Sequence, residues 1–139
     1  MTRAETDNVA FMKDIYAAMG RGDVPTVLAA LDEGVEWYET EGNPWFTGQP
    51  FIGVQQVVDG VFRRIADEWD GFEIKVTRFV GSGDTVIMEG RYWAKSVRAS
   101  GKPLDCEVVH VWDVRDGKIV RFHQYVDTRK LTDDMSVSV

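Results

Sequence analysis

The stretch from Val108 to Asp127 constrains the fold of this chain more than any other. It reads VVHVWDV, RDGK, IVRFHQYVD, two runs rich in β-branched and aromatic residues around one tight connection. Asp116-Gly117 supplies the backbone conformation that a two-residue hairpin needs. Side chains on a strand alternate faces with period two. Cys106, Val108, His110, Trp112 and Val114 therefore share a face of the first strand, and Val120, Phe122, Gln124 and Val126 share a face of the second. Each apolar face carries one strong polar interruption, His110 in one strand and Gln124 in the other.

The rest of the chain supplies helices to cover such a hairpin. Val9, Met12, Ile15, Tyr16 and Met19 recur at helical spacing and predict a helix over 4–20. Asp23 is a suitable N-cap for a second helix, Val24 to Leu31, with Pro25 in its first turn. Residues 35–40 alternate as a short strand, with Val35, Trp37 and Glu39 on one face. Residues 41–53 form a Gly- and Pro-bearing loop whose Trp45, Phe46 and Phe51 are expected to fold over something apolar. Val54, Val57, Val58, Val61, Phe62, Ile65 and Trp69 mark a third helix, expected to be the longest. Strands are then expected over 72–80, 85–97, 104–114 and 119–127, with an unpatterned and mobile tail over 132–139. This order predicts a single α+β domain over 1–139, with its core in 5–131. Three N-terminal helices would pack on a strongly curved, mostly antiparallel sheet to make a cone-shaped α+β barrel with a deep apolar pocket.

Composition narrows the function classes. With 44% hydrophobic and 12% aromatic residues, including five Trp, the 139-residue chain can build a core and line a cavity for an apolar ligand. A net charge of -7 without a basic patch argues against nucleic acid and anionic membranes as partners. No apolar run approaches a membrane span, and the N-terminus has no signal-peptide pattern. The lone Cys106 fits a reducing, cytoplasmic setting. It lies four strand positions from His110, roughly 13 Å, too far for a Cys–His dyad. His123 faces away from His110, so the two histidines do not share a metal. No phosphate loop, dinucleotide fingerprint or nucleophile elbow is present, and neither metal nor cofactor is expected.

Tyr16-Ala-Ala-Met-Gly-Arg-Gly22-Asp23, then Asp-Glu-Gly-Val-Glu-Trp37, then a Gly-rich loop, a helix, and Asp116-Gly-Lys-Ile-Val-Arg-Phe-His-Gln-Tyr-Val-Asp-Thr128 resemble the SnoaL-like branch of the nuclear transport factor 2-like superfamily. That superfamily includes ketosteroid isomerase, polyketide cyclases, epoxide hydrolases, dehydratases and members without chemistry, so the resemblance implies a fold more than a function. It places the ketosteroid isomerase base on Glu39, the oxyanion-hole acid on His110, and the oxyanion-hole tyrosine on Ile15, one residue before Tyr16. It places the epoxide hydrolase arginine on Arg91 and that enzyme's two aspartates on Trp93 and Gln124. Both carboxylates are therefore lost, and a glutamine also stands where cyclases keep an acid/base aspartate.

Parity puts Glu39 inward among tryptophans, where desolvation would raise its pKa toward a useful base; if the strand ends earlier, the carboxylate sits in solvent. His110 is either a satisfied core histidine or, held by Gln124, a ligand-facing donor or proton relay. Arg91 is expected on the surface, paired with Glu89 or Glu107, although the resemblance puts it and Trp93 inward, against the alternation of Val86, Met88, Tyr92 and Ala94. Tyr16, Trp37, Trp45, Phe62, Trp69, Trp93, Val108, Trp112, Phe122 and Val126 are the expected ligand-lining residues. Three readings follow. The first is a cofactor-free isomerase, cyclase or dehydratase acting by proton transfer on a small cyclic carbonyl compound, with Glu39, His110 and Gln124 as the catalytic set. The second is a non-catalytic carrier of a small apolar molecule. The third is an interaction module, and a homodimer through the outward sheet face suits all three.

Overall fold

The computed structural model describes residues 2–137. Helix α1 (Arg3–Gly20) starts in a capping box: the Thr2 hydroxyl accepts from the Glu5 N–H, and the Glu5 carboxylate accepts from the Thr2 N–H. Its buried side is Val9, Met12, Ile15, Tyr16 and Ala18. Helix α2 (Val24–Ala30) is capped by Asp23 and leads directly into strand β1 (Leu31–Tyr38). After the loop comes the short strand β2 (Phe51–Ile52). Helix α3 (Val54–Val57), a π-helical turn (Val58–Phe62) and helix α4 (Arg63–Glu68) follow without a break.

The third helix is thus not the longest, since α1 has 18 residues, and it is not uniform. The extra residue in its middle turn lets Val61 and Phe62 both reach the interior. Gly60 sits in that turn because the Phe51 ring lies against it; a Cβ there would come within 2.3 Å of the ring. The loop aromatics fare unequally. Trp45 is buried and Phe51 partly so, whereas Phe46 is exposed.

The remaining strands are β3 (Trp69–Asp70), β4 (Glu73–Ser82), β5 (Thr85–Ala94), β6 (Ser96–Val97), β7 (Leu104–Arg115) and β8 (Lys118–Val126). Among the described residues they form a six-stranded sheet of order β2-β1-β8-β7-β5-β4 and a two-stranded β3-β6 pair. The expected antiparallel meander is present as β4-β5-β7-β8. Strand β1 joins it in parallel beside β8, with Trp37 opposite Phe122. The β7–β8 turn has Asp116 at φ 52° and Gly117 at φ 72°, the left-handed pair of a type I′ hairpin.

Beside that turn the register shifts, with Asp113 opposite Arg121 but Val114 opposite Ile119. Val120 is the unpaired residue of this bulge, so Ile119 is buried in place of the Val120 expected from strict alternation.

The tail also departs from expectation. Residues Thr128–Met135 form helix α5, whose N-cap Asp127 accepts from the Lys130 N–H. Leu131 is fully buried, and the buried Asp134 carboxylate accepts from the Asp105 N–H at 3.1 Å and from Lys130 Nζ at 2.7 Å. Residues 138 and 139 of the expected mobile tail lie outside the described residues. No helix among the described residues is long and apolar enough to cross a membrane.

Candidate functional site

Between the helices and the inward face of the sheet lies a cavity of about 390 Å³. Its wall includes Tyr16 from α1, Trp37 and Glu39 from β1 and its end, Trp45 from the loop, and Val61, Phe62 and Ile65 from the third helical segment. Trp69 and Phe72 add to it, as do Tyr92 from β5, His110 and Trp112 from β7, and Phe122 and Gln124 from β8. Trp37 packs on Phe122 at 4.0 Å between ring centroids, and Trp45 stacks on Trp69 at 4.5 Å. These rings give the wall its apolar, rigid character.

Three of the expected lining residues are elsewhere. Trp93 points to the outward face, under the Lys75 ammonium at 4.8 Å, because alternation in β5 holds and puts Tyr92 inward instead. Val108 and Val126 pair with each other two positions beyond His110 and Gln124, in the core rather than on the cavity wall. Arg91 is on the surface and pairs chiefly with Asp105 at 2.8 Å, with Glu107 at 3.8 Å; Glu89 is taken by Arg78.

One continuous hydrogen-bond chain crosses the cavity wall. The Trp112 indole Nε1–H donates to Tyr16 Oη at 2.8 Å. Tyr16 Oη is hydrogen-bonded to His110 Nδ1, and His110 Nε2 to Tyr92 Oη at 2.6 Å. Gln124 Nε2 donates to Tyr92 Oη at 2.7 Å, and Asn43 Nδ2 donates to Gln124 Oε1 at 2.9 Å. The chain ends on the backbone N–H of Trp45, which donates to Asn43 Oδ1 at 2.8 Å. His110 is fully buried, and burial pushes its pKa down to about 3. It is therefore a neutral imidazole at physiological pH. Burial likewise raises the Tyr16 and Tyr92 hydroxyls well above the ordinary range, so both keep their protons.

Glu39 stands beside this chain, since Tyr38 pairs with His123 and Glu39 follows next to Gln124. It is 8% exposed, on the inward side with Val35 and Trp37 as parity predicts. Its Oε1 accepts from the Trp37 indole N–H at 3.3 Å. Among the described residues, its Oε2 and Trp69 Nε1 are the buried side-chain polar atoms without a partner, and both residues line the cavity. Desolvation lifts the Glu39 pKa to about 7, with the Trp37 bond and the charge of Arg64 pulling the other way. The site thus combines a carboxyl group balanced near neutrality with a wall of neutral hydroxyl donors.

Sequence reasoning missed Tyr92 and Asn43 in the hydrogen-bond chain and Val61, Ile65 and Phe72, among others, in the wall. Alternation in β5 already pointed Tyr92 inward; Asn43 lies in a loop with no period to read.

The SnoaL-like domain family matches residues 12–122. No curated protein matches the chain. An NTF2-like protein of Burkholderia thailandensis superposes with a TM-score of 0.85 at 37% identity, covering 93% of this chain and 97% of its own. A protein of Jannaschia described as a SnoaL-like polyketide cyclase is 18% identical with a TM-score of 0.81, covering 100% and 98% of the two chains. An epoxide hydrolase of the LEH-like type from M. tuberculosis is 22% identical with a TM-score of 0.73, covering 94% and 90%. The last two likenesses concern the fold alone. With the family match over most of its length and the cone-like α+β architecture around an inward-facing cavity, the chain belongs to the SnoaL-like family of the NTF2-like superfamily.

Proposed function

We propose that the cavity is a cofactor-free proton-transfer site for a small, apolar, cyclic carbonyl compound, with isomerisation, cyclisation or dehydration as the outcome. The observation that carries this reading is the Glu39 carboxyl, buried with one oxygen unpartnered in the cavity that the Tyr16–His110–Tyr92 chain also lines. A base with a pKa near 7 is half ionised at working pH and matched to abstracting a proton beside a carbonyl. The enolate oxygen that forms needs donors already in place in a dry site, which neutral hydroxyls provide at no reorganisation cost. Glu39 is the base. His110 and Gln124 hold the hydroxyl donors rather than meeting the ligand through free ring or amide protons, since both His110 nitrogens are engaged. The aromatic wall supplies affinity for the ring of the substrate.

The test is hydrogen exchange. Incubating cyclic ketones in D₂O with the wild-type protein should place deuterium at the carbon next to the carbonyl. Glu39→Gln should slow that exchange by about 10²–10⁴-fold. Equal exchange by both proteins, across a panel of ring sizes, overturns the reading.

A second reading, a carrier for a small apolar ligand, is favoured by one observation: both His110 nitrogens are already bonded within the protein. It expects ligand affinity unchanged by Glu39→Gln. Self-association belongs with either reading. The sheet leaves Val80, Ile87 and Tyr125 exposed on long strands, an apolar face that a second copy of the chain would cover. Sedimentation of wild type as a dimer and of Tyr125→Glu as a monomer is the expected outcome; wild type sedimenting as a monomer would reject it.

A further inference from the structure

The two ends of the buried hydrogen-bond chain are fixed by groups that can only donate. At one end the Trp112 indole N–H makes Tyr16 Oη an acceptor. At the other, the Trp45 backbone N–H fixes Asn43 Oδ1 as acceptor, which turns Asn43 Nδ2 toward Gln124 Oε1 and Gln124 Nε2 toward Tyr92 Oη. Neither tyrosine can therefore give its own proton outward along the chain. Between them stands a neutral imidazole with one N–H and one bare nitrogen. Two hydroxyl protons and one ring proton serve only two links.

We propose that Tyr16, His110 and Tyr92 form a tautomer-gated proton donor, in which the one hydroxyl proton that neither link uses is offered to an acceptor oxygen of a ligand in the cavity. With the ring proton on Nε2, Tyr16 donates to Nδ1, Nε2–H donates to Tyr92, and Tyr92 offers its proton to the ligand. With the ring proton on Nδ1, the roles reverse and Tyr16 offers its proton. Passing from the first state to the second moves one proton in and one out. A proton taken up by Tyr16 Oη displaces the Tyr16 proton to Nδ1, the Nε2 proton to Tyr92, and the Tyr92 cavity proton to the ligand. Charge balances throughout, and no oxidant or cofactor is required.

Both tyrosines line the cavity, and Glu39, the residue after the Tyr38 that pairs with His123, lies beside Gln124, whose amide donates to Tyr92, so the first state puts donor and base on the same side of the cavity. The matching ligand carries an acceptor oxygen, a ketone, quinone or phenol oxygen, next to the C–H or O–H that Glu39 addresses. Tyr92 and Tyr16 are then the groups that touch the ligand oxygen. His110, Gln124 and Asn43 are positioning residues behind them.

The inference rests on reading the cavity as the ligand site but not on turnover, so the two fail separately. Deuterium exchange tests the base, and the ring nitrogens of His110 test the donor. In a His123→Ala background, long-range ¹⁵N–¹H correlation sees one imidazole. Removing either tyrosine hydroxyl leaves an indole or amide N–H facing the vacated ring nitrogen, which then does best without a proton. Tyr16→Phe should therefore hold the proton on Nε2, and Tyr92→Phe should hold it on Nδ1. The same tautomer in both folded variants, or an imidazolium at pH 7, overturns the proposal. If neither variant folds, the wild-type pocket is titrated with ¹³C-carbonyl cyclohexanone. A downfield carbonyl shift with concurrent movement of the His110 nitrogens is expected. Unchanged resonances up to the solubility limit overturn it.

Discussion

The two histidines of this chain stand on neighbouring strands of one sheet and live in opposite surroundings. His110, on the inward face of β7, has both nitrogens bonded to buried tyrosines and is held neutral. His123, on the outward face of β8, lies stacked between Tyr38 and Tyr125 at 5.5 and 4.2 Å and is half-buried. Partial burial and the nearby Arg121 lower its pKa as well, but solvent still reaches it. The difference is one of strand parity. An inward polar residue must find all its partners inside the protein or destabilise it, whereas an outward one shares them with water. The inward face has been built around its polar residues, with Asn43, Gln124, Tyr92, Tyr16 and Trp112 all committed to one chain. That commitment is what the proposed function rests on.

The contrast can be broken in several ways. The largest expected effect is on the acid side. His110 binds its proton at about 6.5 when unfolded and at about 3 when folded. Its stabilising contribution is thus present above pH 6.5 and is lost as pH falls toward 3, on the order of 4–5 kcal/mol in full. Because Glu39 titrates with the opposite sign in an overlapping window, urea unfolding is followed in Glu39→Gln, where the loss should appear and persist unchanged on adding His123→Ala; its disappearance in that double variant would assign it to the wrong histidine. Next, His110→Leu removes one partner from each of two buried hydroxyls and should cost about 3–4 kcal/mol at pH 7. His123→Leu should cost less than about 1 kcal/mol in the same measurement.

Glu39 has the opposite sign. Its folded pKa of about 7 lies above the ordinary 4.5, so the stability it contributes is present below pH 4.5 and lost as pH rises through 7. Glu39→Gln should therefore match wild type near pH 4 and exceed it at pH 8 by on the order of 3 kcal/mol. A constant difference across pH would contradict the buried, ionising carboxyl. Asn43→Ala frees the amide of Gln124 to turn over and should cost about 1–2 kcal/mol in thermal or urea unfolding. A neutral result there would detach the loop from the chain of bonds.

Much of the inward face is legible before any coordinates. The Asp116-Gly117 hairpin, the parity that buries His110 and Gln124 together, and the inward turn of Glu39 after Trp37 all follow from period two and turn chemistry. What local pattern cannot carry is the pairing of distant elements. Tyr16 meets His110 across 94 positions, and β1 lies parallel to β8, a neighbour that no local signal in either strand announces. The bulge at Val120 changes a face with no residue type to signal it. Helix α5 is anchored by Leu131, by Met135 one turn on and by the polar contacts of Asp134, an apolar stripe too short to read as a helix. The family resemblance puts Trp93 inward, whereas the alternation of its own strand puts it outward, and the alternation holds.

The account turns on a carboxyl group held near neutrality inside the cavity. Titrating Glu39 by ¹³C NMR of its side-chain carboxyl, with Glu39→Gln used to assign the resonance, tests that directly. A midpoint close to 7 is the predicted result. A midpoint at the ordinary glutamate value, near 4.5, would mean that water reaches the group and that the inward face holds no poised base.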